Sequence, residues 1–358
     1  MSDLQLSLLA VGAVFVAAVW LYNRWQERRF RRGAEAAFAH EQPDVLMADA
    51  ENGATPAISE RLEPSLGGPA GSAGVAPAAA AAADRSGLDP AIDFIADLDA
   101  ELPLAPADLQ GELVAGWAAA AGRPVRVAAF DDETNTWIDA RTETRRFRSL
   151  RCGVQMASRA GCMTAAELAG FCDAVGQWAE RQAAQARFPE IEAVLARARQ
   201  LDALCAEVDV AIGINVIARA GDKFTATRIR AYAEGIGFKL EPSGVFTFAG
   251  ADGTTLFTLD NHEPMPFVPE QIKTLSTDGV TLLLDVPRVP DAASAFDRML
   301  ETGRHLATAL GGRLVDDNRA ALSEAGLGKI REQLAAIRNG MQAGGIAPGS
   351  ERALRLFA

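Results

Sequence analysis

From Leu4 to Tyr22 the chain runs through 19 residues without a charge, and Arg24, Arg28, Arg29, Arg31 and Arg32 follow at once. At a helical rise of about 1.5 Å per residue the run spans about 28 Å, close to the hydrocarbon thickness of a bilayer. Trp20, Tyr22 and Trp25 stand at its trailing edge, where amphipathic rings favour a membrane interface. A secretory signal would carry basic residues ahead of the apolar run and a small-x-small cleavage site behind it. Here Asp3 leads and a bulky, basic stretch trails. The pattern predicts a single-pass transmembrane helix over residues 1–23. Because basic flanks stay in the cytoplasm, the N-terminus faces out and everything after residue 23 is cytoplasmic. The same arginines would contact anionic lipid headgroups.

Hydrophobic periodicity then disappears. The stretch PSLGGPAGSAGVAPAAAAAAD, 64–84, has few large apolar side chains to offset the entropy of ordering, so residues 24–88 read as a basic flank and a flexible linker. A coil of this length has a root-mean-square span of roughly 40 Å, which suits a tether.

Periodicity returns near residue 89, and the body says one thing twice. AIDFIADLDAEL (91–102) and EVDVAIGINVIA (207–218) alternate like strands. Helical patterns follow at 107–122 and 225–237, then hairpin-like pairs at 125–140 and 244–260. Each copy continues with a strand running into a long helix, 151–184 and 278–312; Gly153 and Gly279 occupy equivalent places. The second copy adds a strand at 312–318 and a helix from Glu324 to Ile337. The first lacks that strand and leads through a helix at 189–206 into the second. The reading is α+β: two tandem β-α-β-β-β-α repeats, 89–206 and 207–338, each an antiparallel sheet with helices on one face, and a flexible tail at 339–358. Strand alternation assigns the two faces of the second sheet. Ile212, Ile214, Val216, Phe246, Phe248, Val280, Leu282 and Leu284 pack under the helices. Ala211, Gly213, Asn215, Val245, Thr247, Thr281, Leu283 and Asp285 line an open side.

Composition narrows the function. A net charge of −12, with no basic stripe after residue 32, argues against nucleic acid as a partner. Cys152, Cys162, Cys172 and Cys205 form no CxxC pair and read as reduced core hydrophobes. His40, His262 and His305 are scattered, so no metal or cofactor is expected. Asp316 and Asp317 read as a turn after an edge strand, and Gly311–Gly312 as a helix end. His262 beside Glu263 has no nucleophile with it, and no small-molecule substrate is implied. Trp117, Trp137 and Trp178 read as core anchors, one of which could line a second groove.

The N-terminal span, basic flank and low-complexity tether, together with GVTLLLDVPRVPDAASAFDRMLETGRHLATALGGRLVDDN at 279–318, resemble the bacterial ZipA family of cell-division proteins. NVIA (215–218), IGFKL (236–240) and TLFTLDN (255–261) are similar in type and order. The resemblance covers the anchor and residues 208–337, with the first copy a diverged version. It implies a split β-α-β fold without enzymatic activity, and a C-terminal domain whose open sheet face binds the C-terminal peptide of FtsZ. It further implies a protein of the inner membrane, in contact with inner-membrane lipids, that pins division filaments there. The family's cleft falls here on Ala211, Gly213, Val245, His262 and Leu283, with Thr247 beside Val245 on the same face. The family tends to larger aliphatic residues at the first two positions, Met at His262 and an aromatic residue at Leu283. Losing roughly 100 Å² of apolar contact would cost about 2.5 kcal/mol, nearly a hundredfold in affinity. The alternative is a membrane-anchored scaffold for a different envelope or division protein.

Overall fold

A computed structural model gives the structure of the protein and describes residues 84–105, 112–140, 143 and 145–358. The expected span Leu4–Tyr22 and the arginines Arg24 to Arg32 lie outside the described residues. Among the described residues no helix is long and apolar enough to cross a membrane. The described residues belong to one compact unit.

The first repeat comprises strands β1 (Asp93–Leu104), β2 (Val125–Asp131), β3 (Thr136–Asp139) and β4 (Phe147–Gln155), with helix α1 (Glu112–Ala121) between β1 and β2. A two-stranded ribbon, β5 (Ala157–Ser158) and β6 (Gly161–Cys162), precedes helix α2 (Ala165–Arg181). Strand β7 (Ala184–Arg187) and helix α3 (Ile191–Val208) complete it. The second repeat holds β8 (Ala211–Ile217), β9 (Phe224–Thr225), α4 (Ala226–Gly235), β10 (Phe238–Leu240), β11 (Phe246–Ala249) and β12 (Thr255–Asn261). It continues with β13 (Ser276–Thr277), β14 (Gly279–Asp285), α5 (Ala292–Leu310), β15 (Arg313–Val315), α6 (Glu324–Ala343) and α7 (Glu351–Leu356).

The sheets run β3-β2-β4-β1-β7 and β10-β11-β12-β14-β8-β15, with antiparallel pairing throughout. Both bury one face. Phe94, Ala96, Leu98, Leu150, Cys152 and Val154 pack beneath α2, whose Thr164 and Glu167 form a reciprocal cap at its N-terminus. Ile212, Ile214, Val216, Val280, Leu282 and Leu284 are buried in the second sheet. Above them α5 begins at an Asp291 cap and ends at Gly311 in the left-handed region, φ 76°. Trp117 and Trp178 meet edge to face at 5.4 Å inside the first core. Trp137 is only half-buried, with the Arg151 guanidinium 4.0 Å above its ring on the other side of the sheet. None of the cysteines is paired.

Three expectations are corrected, and the two repeats differ in one further respect. The first repeat does not lack its last strand: β7 pairs with β1 as β15 pairs with β8. AQAR carries almost no strand propensity, and the free edge of β1 supplies the reason for pairing. The hairpins are laid in opposite order. In the second repeat β12, the later hairpin strand, pairs with β14; in the first, the earlier strand β2 pairs with β4 and β3 lies at the edge. The segment 339–358 is no flexible tail. Helix α6 continues to Ala343, and Ile346, Leu356 and Phe357 are fully buried. Finally, order begins before residue 89, since Ser86 and Leu88 are buried.

That early segment is a strap across the first sheet. The Arg85 N–H donates to the Trp137 carbonyl at 2.8 Å on the β3 edge. Leu88 lies over Gly153, a residue on the side of β4 opposite Cys152 and Val154; a Cβ on Gly153 would stand 2.2 Å from Leu88 Cδ2. Helix α7 fastens the strap. Arg352 pairs with Asp89 at 2.6 Å, and Arg355 pairs with buried Asp93 and donates to the Gly87 carbonyl. Replacing Gly153 with Val should displace Leu88 at a cost of about 1–3 kcal/mol. Hydrogen exchange should accelerate over residues 85–92 and stay unchanged in β8 and β14; an unaltered strap would contradict this packing.

The repeats meet through α3, which contacts α6, and through the β5–β6 ribbon. Arg159, at the ribbon's tip, makes paired bonds to Asp209 and Asp285, each at 2.7 Å at its shortest, at the end of β8 and β14.

Candidate functional site

Among the described residues, neither the strap, a helix nor the first repeat buries Leu283 at the centre of the open side of the second sheet. Register sets its rows. Thr247 pairs with Thr258, Thr258 with Leu283, and Leu283 with Gly213. Asp260 pairs with Thr281, Thr281 with Asn215, and Asn215 with Val315. Asp285 pairs with Ala211 at the end reached by Arg159. Leu283 is 39% exposed and Ala211 is exposed, while Gly213, Val245, Thr247 and His262 are half-buried. The six residues expected at a cleft therefore stand on or beside one sheet surface. It is furnished with threonines and small residues around a single protruding leucine.

Asn215 departs from expectation. Assigned to the open side, it is only 3% exposed. The turn after β15 folds back over it: the Asp316 N–H donates to the Ala320 carbonyl, and Asp316 accepts from the N–H groups of Asn318 and Ala320. This brings the Asp317 carboxylate to Asn215 Nδ2 at 2.9 Å and within 3.3 Å of where a Gly213 Cβ would lie. Any larger residue at 213 would push against Asp317.

The bonds on this half of the face form a chain whose direction follows from chemistry. A carboxylate only accepts, so Asn215 Nδ2 donates to Asp317. Asn215 Oδ1 then accepts from the Thr281 hydroxyl at 2.6 Å. That uses the one proton of Thr281, so its oxygen accepts at 3.3 Å from His262 Nδ1. Nδ1 of His262 therefore carries a proton, and in the neutral imidazole Nε2 is left as an acceptor. Two positions back on β12, Asp260 accepts, among the described residues, only the Asn261 N–H, at 3.0 Å. Among the described residues no cation pairs with it. Burial pushes its carboxyl above the usual carboxylate range, opposed only by that N–H.

Sequence reading missed Met265, which is 51% exposed. Asn261 Nδ2 donates to the Met265 carbonyl at 2.6 Å, and the Phe267 N–H donates to the Gly244 carbonyl. These bonds pin the 262–267 loop across the end of β11 and β12 and bring Met265 to the rim. No periodicity marks a loop residue, so only the Asn-x-x-Pro-Met-Pro composition signalled a fixed turn.

Residues 210–333 match the family model described as ZipA, C-terminal FtsZ-binding domain. A relative named cell division protein ZipA from Marinobacter nauticus is 29% identical over 125 residues, covering 34% of this chain and 37% of its own length. Another of the same name, from Shewanella loihica, is 29% identical over 116 residues, 31% of this chain and 34% of the relative. The chain thus matches about a third of the length of these curated relatives.

Proposed function

We propose, from the match of residues 210–333 to the ZipA C-terminal domain, that this chain is a division-site membrane tether of the ZipA family. In this reading the open face of its second sheet binds the C-terminal peptide of FtsZ. The observation that carries it is the contrast between the two sheets. The strap with Leu88 crosses the first, whereas Leu283 stands uncovered in the second. Leu283 is the apolar anchor of the site, flanked by Gly213, Ala211, Val245, Thr247 and Thr258, with His262 and Met265 at the rim. The work of the site is recognition, with no bond made or broken.

The N-terminal run Leu4–Tyr22 supplies the anchor in the inner membrane, the arginines 24–32 face anionic lipids, and the linker supplies reach. A face of threonines and one leucine buries little apolar area, so a single contact is weak. Filaments present many copies of one tail to many tethers on one membrane, and avidity restores the hold.

Titrating the soluble fragment 84–358 with the C-terminal peptide of FtsZ from the same organism tests this. Saturable binding below millimolar peptide is expected. No binding at millimolar peptide would discard the FtsZ reading in favour of a scaffold for another division or envelope protein.

A further inference from the structure

The chemistry of the docked segment can be read from the same face, on the premise of the peptide-binding reading above. Of the carboxylates that border the surface, three are already committed. Asp285 is held by Arg159, Glu241 lies 3.5 Å from Lys239 Nζ and accepts from Thr247, and Asp317 is bonded to Asn215. Asp260 has no cation among the described residues. Beside it, His262 donates from Nδ1 into the chain that ends at Asp317, and in its neutral form offers Nε2 as an acceptor. This end of the face presents acceptors to whatever covers it, next to an apolar side chain. Asp260 and Leu283 are diagonal neighbours on paired strands, about 7–8 Å apart. Same-side residues of an extended segment are spaced about 6.8 Å, so one segment can meet both.

We propose that the segment docking on the second sheet carries a lysine or arginine within two residues of its apolar anchor, received by Asp260 and His262 Nε2. Asp260 is then a specificity-determining residue. A half-buried carboxylate lacking a counter-charge disfavours uncharged or acidic occupants, whose binding would desolvate it without a partner. A guanidinium or ammonium group brings several donors and none of the conflicting acceptors.

The test uses the full chain and the FtsZ C-terminal peptide, with a set of peptides in which each Lys or Arg is singly replaced by Ala. Asp260→Asn, which keeps the acceptor for the Asn261 N–H, should weaken binding roughly fivefold to tenfold and flatten its salt dependence. One of the alanine peptides should lose the same factor against the unaltered chain and nothing further against Asp260→Asn. If the unaltered chain binds and Asp260→Asn binds equally at every salt concentration, the cation is not read by Asp260 and the inference fails while the peptide-binding reading stands. If the unaltered chain does not bind, both fall together.

Discussion

Leu283→Asp should abolish peptide binding by the second sheet, with a loss of about fiftyfold or more, while the protein melts within a few degrees of the unaltered chain. Two terms add in the complex. Leu283 is the large apolar side chain on the central rows of the open face, and its burial contributes about 1.5–3 kcal/mol. An aspartate there would also be desolvated beneath the peptide, in a row next to Asp260 and on the same strand face as Asp285. In the free protein neither term applies, because the side chain is 39% exposed. What remains is the lower strand propensity of aspartate, less than about 1 kcal/mol. The separation of the two effects is the informative part. Calorimetric titration together with a melting curve tells them apart, and intact affinity in a well-folded Leu283→Asp protein would remove this face from the binding site. Leu282→Asp, aimed into the core, should instead unfold the domain.

How much of this was legible beforehand depends on the range over which each feature is determined. The alternation in β8 and β14 is a local consequence of the pleat. It separates Ile212, Ile214 and Leu282 from Gly213 and Leu283 without knowledge of any partner strand. The end of α5 at Gly311 is equally local. Features made by distant parts of the chain left no such trace. Strand β7 exists because the edge of β1 is free, not because AQAR prefers it. Asn215 is buried by a turn 102 residues onward, and the strap is fastened by arginines 262 to 268 positions away. The C-terminal stretch reads as a linker because Gly344, Gly345, Pro348 and Gly349 interrupt it. Those residues shape the bend that returns α7 to the body, and the Gly349 N–H donates to the Pro287 carbonyl at 3.0 Å. The hairpin order of the first repeat is topological, and strand patterns alone are blind to it.

Removing α7 should be the most damaging small change to the body. Ending the chain at Gly349 strips Leu356 and Phe357, both fully buried, at about 2 kcal/mol each. It also leaves Asp93, almost wholly inaccessible, without the Arg355 guanidinium. An unpaired buried carboxylate of this kind costs about 3–5 kcal/mol. Together these approach the whole stability of an ordinary domain, about 5–15 kcal/mol. A fall in melting temperature of at least about 10 °C is expected, with residues 85–93 the first to lose protection from hydrogen exchange. The reason lies in what α7 joins. Arg352 and Arg355 hold Asp89, Gly87 and Asp93 of the strap, while the Phe357 carbonyl accepts from Arg288 and the Leu356 carbonyl from the Arg159 N–H. The helix therefore ties the point where the preceding chain enters the body to both repeats. In the tether proposed above, load transmitted from the membrane would arrive at that point, and the clasp would lie in the path between anchor and binding face. Equal melting of the shortened and complete bodies, with the strap still protected, would show that the strap is held by its contacts with the first sheet alone.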